Sequence, residues 1–297
     1  MEGMPVLTVD DVARGARSFS WEAPDGSRFP ALAWEPGCAE PRANVLCIHG
    51  LGGAAVDFGP VGRVLADAGC DVRALNLRGQ GNDPDPSRRG HLLDQQAWRG
   101  DLEAFAGAFP ARAPLCVIGE SMGALVAVDA TAAGALRPER LVLSVPVPET
   151  RAPVPRWIVS LLRNAAAVCP RLRLSALRFV HGSSALPRLT WDDDYMAYLQ
   201  TIPHRVGGFT VEFLSRFDTL MESCRCCAGR IEVPTLMLAA GRDIFIKPEQ
   251  SQRFFEQLGP SEKRLHLYPD SHHLLWHDRD RDDVLERIRG WVLGEAA

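Results

Sequence analysis

The sequence predicts an α/β fold: a mostly parallel central sheet flanked by helices, with a mainly helical cap inserted after the sixth strand. Three observations predict it. Short β-rich apolar runs alternate with helix-like stretches along most of the chain, the pattern of parallel strands joined by crossover helices. That alternation stops between about residues 146 and 229 and then resumes. The 297 residues, 46% of them hydrophobic, suffice to cover one such sheet on both faces and to build an insertion. The expected division is therefore a core of residues 1–145 and 230–297, with residues 146–229 as the cap.

Taken in order, Val12 to Trp21 and Arg28 to Glu35 read as antiparallel edge strands around a turn at Pro24 to Gly26. Strands follow at Asn44 to Ile48, Asp71 to Asn76, Leu115 to Ile118 and Arg140 to Val145, and after the interruption at Pro234 to Ala239 and Arg264 to Leu267. Helices are expected near Phe58 to Ala68, Gln95 to Ala108, Met122 to Ala133, Glu249 to Leu258 and Asp282 to Val292. The interruption opens with VPVPETRAPVP, too proline-rich for regular structure. Beyond it, Trp157 to Cys169 is mostly apolar, and Phe209, Phe213, Phe217, Leu220 and Cys224 recur at helical spacing. Packing onto the core explains both stripes. So does an acyl channel, with Phe213 and Phe217 as pocket candidates, or a face that touches lipid transiently.

A formal charge of −4 gives no electrostatic reason to expect nucleic acid as partner. A small, weakly charged molecule fits better. The start, MEGMPVLTVDDVARG, lacks a basic, apolar leader, and no run approaches the roughly 18 apolar residues of a membrane span. A cytoplasmic protein is expected. Cys47 and Cys116 sit in apolar strand-like runs, and the eight cysteines form no disulfide framework, so reduced thiols are expected. Cys224, Cys226 and Cys227 lack the further ligands of a zinc site, and neither a metal nor an organic cofactor is implied.

The chemistry-bearing motif is Leu115-Cys-Val-Ile-Gly119-Glu120-Ser121-Met122-Gly123: an apolar strand running into GxSxG and then into a helix. A bare GxSxG is weak evidence, but on a strand-to-helix turn it is the pattern of a nucleophile elbow. A serine hydroxyl needs a base that is itself oriented. Where serine sits on such a turn, the acid and then the histidine follow later, each in a loop after a strand. Gly241-Arg242-Asp243 and Pro269-Asp270-Ser271-His272-His273 stand after the last two strands, and Asp243 is favoured over Asp270, which lies too close to the histidines in sequence. The developing oxyanion needs backbone donors. Met122 N–H is one, and Leu51 N–H, in the HGLGG that ends the strand at Asn44, is the other. Gly50 lets that loop approach the substrate, and His49 braces it.

HGLGG, Asn76-Leu-Arg-Gly-Gln-Gly81 with Arg89-Gly-His91, GESMG, GRD and YPDSHHL together resemble the monoacylglycerol lipase and lysophospholipase group of α/β-hydrolases, which also has serine-aminopeptidase-like members. The likeness spans about residues 30–290 and is weakest in the cap. In that group the catalytic histidine stands five residues after the aromatic or apolar residue that ends the last strand, which from Tyr268 implies His273 rather than His272. Glutamine replaces the usual histidine of RGHG at Gln80, and Asp270-Ser271 replaces a Gly-Ala pair. The resemblance implies an α/β-hydrolase fold and hydrolysis of monoacylglycerol- or lysophospholipid-like esters by Ser121, His273 and Asp243, with His49, Gly50 and Glu120 also in the pocket. An aminopeptidase would need a carboxylate for the substrate's ammonium, for which Asp192, Asp193, Asp194 and Glu222 are candidates. Amide or thioester hydrolysis, or ligand binding without turnover, are the alternatives.

Overall fold

A computed structural model describes residues 7–92, 94–152, 154–174, 186–204 and 206–295. Eight strands form one sheet in the order β1-β2-β4-β3-β5-β6-β9-β10. They are β1 (Arg17–Glu22), β2 (Arg28–Trp34), β3 (Asn44–Ile48), β4 (Asp71–Leu75), β5 (Leu115–Glu120), β6 (Arg140–Ser144), β9 (Thr235–Ala240) and β10 (Lys263–Tyr268). From β4 to β10 every neighbouring pair is parallel, while β1 pairs with β2 and β2 with β4 antiparallel.

Period-two alternation divides the core between the two faces of the sheet. Val117, Leu141, Leu143 and Met237 face Trp98, Leu102 and Phe105 of one helix and Leu125 and Val128 of another. Val45, Cys116, Ile118, Val142 and Leu238 face the opposite layer, with Phe58, Leu65, Ile288 and Trp291. Helices α3 (Gln96–Gly107) and α4 (Met122–Ala132) cover the first face. Helices α2 (Gly59–Asp67) and α9 (Arg281–Val292) cover the second, and α8 (Pro248–Gln257) leads from β9 to β10. Burial on both faces explains why these strands read as continuous apolar runs.

Two expectations need correction. Val12 belongs not to a strand but to the short helix α1 (Val9–Val12), and β1 begins only at Arg17. The cause is local: Thr8 Oγ1 accepts from Asp11 N–H and Asp11 Oδ2 accepts from Thr8 N–H, a capping box that starts a helix, and Gly15 at φ 80° turns the chain out of it. Nor is β2 an edge strand, since it lies between β1 and β4.

Between β6 and β9 stand α5 (Arg156–Val168), α6 (Asp193–Thr201), α7 (Val211–Cys227) and a two-residue ribbon of β7 (Arg173–Leu174) with β8 (Phe209–Thr210). Of the expected cap, residues 153, 175–185 and 205 lie outside the described residues, as do residues 1–6 of the N-terminus. Helix α7 packs on α4 and α5 packs on α7, with Arg163 of α5 reaching Asp218 at 2.8 Å.

Candidate active site

Ser121 occupies the turn between β5 and α4 at φ 54° and ψ −115°, a backbone state that residues with a Cβ adopt only under strain. The flanking glycines are required by packing. A Cβ on Gly119 would lie 2.5 Å from Gly123 O, and one on Gly123 would lie 2.0 Å from Ile48 O. Ser121 N–H donates to Ser144 O at 2.9 Å, pinning the turn to β6, while the residue itself stays partly exposed.

The HGLGG loop runs beside this serine. A Cβ on Gly50 would stand 3.1 Å from Ser121 Cβ and 3.7 Å from Ser121 Oγ. The loop's amides are largely engaged: Gly52 N–H donates to Gln80 Oε1 at 2.9 Å, Gly53 N–H to Gly50 O at 3.1 Å and Ala54 N–H to Asp57 Oδ2 at 2.8 Å. Leu51 N–H and Met122 N–H have no acceptor among the described residues. Two such amides flanking a serine suit a developing oxyanion. His49, fully buried, accepts from Leu77 N–H at Nε2 (3.0 Å) and donates from Nδ1 to Gly50 O (2.8 Å). Burial pushes its pKa down to about 4, so it serves as a neutral strut.

His273 and Asp243 meet on the parallel side of the sheet, in the loops that follow β10 and β9. His273 Nδ1 lies 2.7 Å from Asp243 Oδ2, and both residues are buried. Asp243 Oδ1 accepts from Phe245 N–H at 2.8 Å and Ile246 N–H at 3.4 Å, so the carboxylate is held from both sides. The Phe245 ring meets the imidazole edge-on at 4.7 Å. No hydrogen bond joins Ser121 Oγ to His273 among the described residues, and such contacts commonly tighten only with substrate bound. The neighbouring His272 has its own acid, with Nδ1 3.4 Å from Asp278 Oδ2 and its ring against Trp191. Asp270 pairs with Arg242 at 3.0 Å on the surface.

Phe213 is 1% exposed and packs against Phe209 and Trp98, which commits its ring to the core, while Phe217 lies partly buried at the edge of the same cluster. The carboxylates considered for an ammonium are mostly engaged: Asp192 caps α6, Asp193 pairs with Arg188 at 2.6 Å and Glu222 with Arg163 at 3.1 Å. Among the described residues no group of three or more histidine, cysteine, aspartate or glutamate side chains is placed to hold a metal ion. One acid near the serine had not stood out in the sequence. Asp57 is buried, and its backbone O accepts from Trp276 Nε1–H and His277 Nε2–H. Its only local signal, an aspartate three residues into a helical turn, reads as an ordinary cap.

The sequence profile of the family described as serine aminopeptidase, S33, matches residues 39–280. A curated monoglyceride lipase of Saccharomyces cerevisiae is 24% identical over 92% of this chain and 92% of its own length. Among solved structures, the chain is similar to a monoacylglycerol lipase of Paleococcus ferrophilus, with TM-score 0.76 and 22% identity over 90% of this chain and 98% of that one. It is also similar to a soluble variant of the Saccharomyces cerevisiae monoglyceride lipase in complex with a substrate analogue (TM-score 0.78, 20% identity, 93% and 94% covered). A thermostable carboxyl esterase of Bacillus coagulans gives TM-score 0.79 at 20% identity, with 94% and 98% covered. With the profile spanning most of the chain, the protein belongs to the S33 serine aminopeptidase family, and its likeness to these structures gives it the α/β-hydrolase fold.

Proposed function

We propose that the protein is a serine hydrolase that cleaves carboxylic esters of monoacylglycerol or lysophospholipid type, with medium-length acyl chains, through an acyl-enzyme on Ser121. The observation that carries this reading is the strained turn at Ser121, beside two unengaged amides. Strain of this kind costs about 1–3 kcal/mol and persists where surrounding packing enforces it for a purpose. The relatives named for monoglyceride and carboxyl ester hydrolysis support the substrate class.

In this reading Asp243 accepts the Nδ1–H of His273 and leaves Nε2 free as base. Ser121 Oγ attacks the ester carbon as His273 takes its proton, and Leu51 and Met122 N–H hold the oxyanion, each donor contributing about 3 to 4 kcal/mol. Collapse breaks the C–O bond, and the alcohol leaves with the proton from His273. Water, deprotonated by His273, then releases the acyl group as a carboxylic acid and restores Ser121. No cofactor enters the cycle.

Residues 146–229 form the cap over this edge in the same reading. Arg151 Nη1 donates to Asp243 O, Leu274 N–H to Leu189 O and Trp191 Nε1–H to Asp270 O, so the segment touches both loops of the pair. Trp157, Leu161 and Val168 on the outer side of α5 are 69%, 60% and 80% exposed, an apolar stripe suited to transient contact with a lipid surface. No helix among the described residues is long and apolar enough to cross a membrane. A cytoplasmic location, where the eight cysteines remain reduced, belongs to the proposal.

The test is a fluorophosphonate probe with a p-nitrophenyl ester series of rising chain length. The wild type should be labelled and should favour chains longer than acetyl, and Ser121→Ala should lose labelling and turnover while melting normally. Labelling at another serine, or no ester turnover, would sink the reading.

A further inference from the structure

Gln80 stands where the resembling enzymes carry histidine, and the hydrolytic cycle has given it no part. Its side chain is fully buried, in the turn that follows β4, and its Oε1 accepts from Gly52 N–H at 2.9 Å. That contact fixes which end of the carboxamide is oxygen, because an N–H is met only by an acceptor. The NH2 end therefore faces away, and its nitrogen has no partner among the described residues. A buried donor left unmet is destabilising, so packing alone would favour an apolar residue of the same length here. The bond to Gly52 is what such a residue could not make.

The turn that carries Gln80 is itself held at several points. Gln80 N–H donates to Leu77 O at 3.1 Å, Asp83 N–H to Gln80 O at 3.0 Å and Gly79 N–H to Asp83 Oδ2 at 2.9 Å. From the segment between β6 and β9, His204 O lies so close to Gly81 that a Cβ there would stand 1.5 Å from it. Gln80 thus reaches Gly52 from a fixed base.

Gly52 follows Leu51, whose N–H is the second oxyanion donor of the proposed cycle. The direction of that N–H depends on the two peptide planes that meet at the Leu51 Cα. In the first plane, Gly50 O accepts from His49 Nδ1–H at 2.8 Å and from Gly53 N–H at 3.1 Å, and the trans peptide points Leu51 N–H the opposite way. In the second plane, the hydrogen bond of Gly52 N–H to Gln80 is the one that holds it among the described residues. Gly52 then turns at φ 73°, so no strand or helix fixes this plane from the far side.

We propose that Gln80 is a positioning residue for the oxyanion hole: by capturing Gly52 N–H it locks the second plane and keeps Leu51 N–H aimed beside Ser121. The inference rests on the ester-hydrolase reading for the reaction it serves. Without the carboxamide oxygen, Gly52 N–H turns toward water and the Leu51 amide loses its preset direction. The donor is then present but misaimed, so the loss should fall below the roughly 10²- to 10³-fold of outright removal.

Gln80→Met tests this, since it keeps the length of the side chain and removes its oxygen. With p-nitrophenyl butyrate, kcat should fall roughly 10- to 100-fold with KM nearly unchanged. The melting transition should move little, because the lost bond to Gly52 is offset by removal of the unmet NH2. Inhibition by an alkyl trifluoromethyl ketone separates aim from packing, since its serine adduct places an oxyanion in the hole. Affinity for the ketone should fall by the same factor as kcat/KM. Gln80→His, which restores an acceptor through a neutral ring nitrogen, should recover most of both losses. If Gln80→Met melts early, Gln80→Leu provides the same comparison. Full activity in Gln80→Met, a fall in kcat without a matching fall in ketone affinity, or a Gln80→His as impaired as Gln80→Met would each overturn the role of Gln80 while leaving the ester reading intact. A wild type that turns over no p-nitrophenyl ester would sink that reading, and this role with it.

Discussion

Replacing Asp243 with asparagine separates orientation from mere presence, because the surroundings dictate which way the new amide must face. Oδ1 accepts from Phe245 N–H and Ile246 N–H, and Oδ2 faces His273 Nδ1 at 2.7 Å. Both backbone donors need an acceptor, so the asparagine oxygen takes the Oδ1 place and its NH2 is turned toward the imidazole. That amide donates where the carboxylate accepted, which forces the proton onto Nε2, the nitrogen that takes the Ser121 proton in the proposed mechanism. The loss should therefore be of the order of 10⁴ in kcat, about 5 kcal/mol, with KM nearly unchanged. Stability should fall little, since the shape and both backbone hydrogen bonds survive. Steady-state hydrolysis of p-nitrophenyl butyrate and the rate of fluorophosphonate labelling should drop together. Retention of more than about a tenth of the wild-type kcat would show that Asp243 does not orient the base.

The adjacent histidines should behave differently: His273→Ala should lower kcat by about 10⁴ to 10⁶, whereas His272→Ala, which loses only the Asp278 and Trp191 contacts, should cost far less, and reversed effects would misplace the base. Gly123→Ala would put a methyl 2.0 Å from Ile48 O and 2.6 Å from His49 O, backbone that cannot rotate away, so overpacking of about 1–3 kcal/mol or more should lower the melting temperature. The same shift of β3 should displace Leu51 and reduce turnover, and an unchanged melting curve with full activity would refute the packing argument. Acid should destabilise the fold through His49 and His277, whose pKa values fall from the ordinary 6.5 to about 4 and about 3. As pH drops below about 6.5 the unfolded chain binds protons that the folded one refuses, and each histidine then removes up to roughly 1.4 kcal/mol per pH unit. Urea midpoints at successively lower pH should decline accordingly, and a flat profile down to about pH 4 would mean that neither ring is buried neutral.

The strands were legible because sheet burial on both faces writes itself into short stretches. Asn44–Ile48 reads NVLCI, with no polar residue after the first, and its boundaries match the sequence reading residue for residue. The contact of His273 with Asp243 was anticipated from two loops that follow strand ends, and the choice of His273 over its neighbour from the family resemblance, which counts five residues from Tyr268. Where the reading failed, a local signal had been outweighed. The alternation near Val12 suggested a strand, yet Thr8 and Asp11 close a capping box over three residues and start a helix there. Helical spacing placed Phe213 on an apolar face and packing onto the core was one of its readings; which neighbour it meets, Trp98 more than a hundred residues earlier, is a long-range fact that the spacing does not carry.

Charge balance around Ser121 is harder still to see in a sequence, because it is a sum over segments that only the fold brings together. Glu120, Asp57, Ser144, Tyr195 and His204 come from β5, a loop before α2, β6, α6 and the stretch after it. Each has an ordinary explanation alone: a residue inside a motif, a helix cap, a strand end, a packing aromatic, a lone histidine. What sets Glu120, Ser144 and His204 apart is a buried hydrogen-bonding atom without a partner, and neither Glu120 nor Asp57 forms an ion pair among the described residues, properties of the assembled set. The elbow, by contrast, is written within five residues, two glycines and a positive φ, although the carbonyls of Ile48 and Ser144 hold it in place. A variant at Gly123 should disturb the turn through backbone geometry and one at Glu120 through the buried carboxyl behind it, and the two effects should be close to additive only if Glu120 does not shape the turn. Strong coupling between them would mean that Glu120 helps to shape the elbow itself.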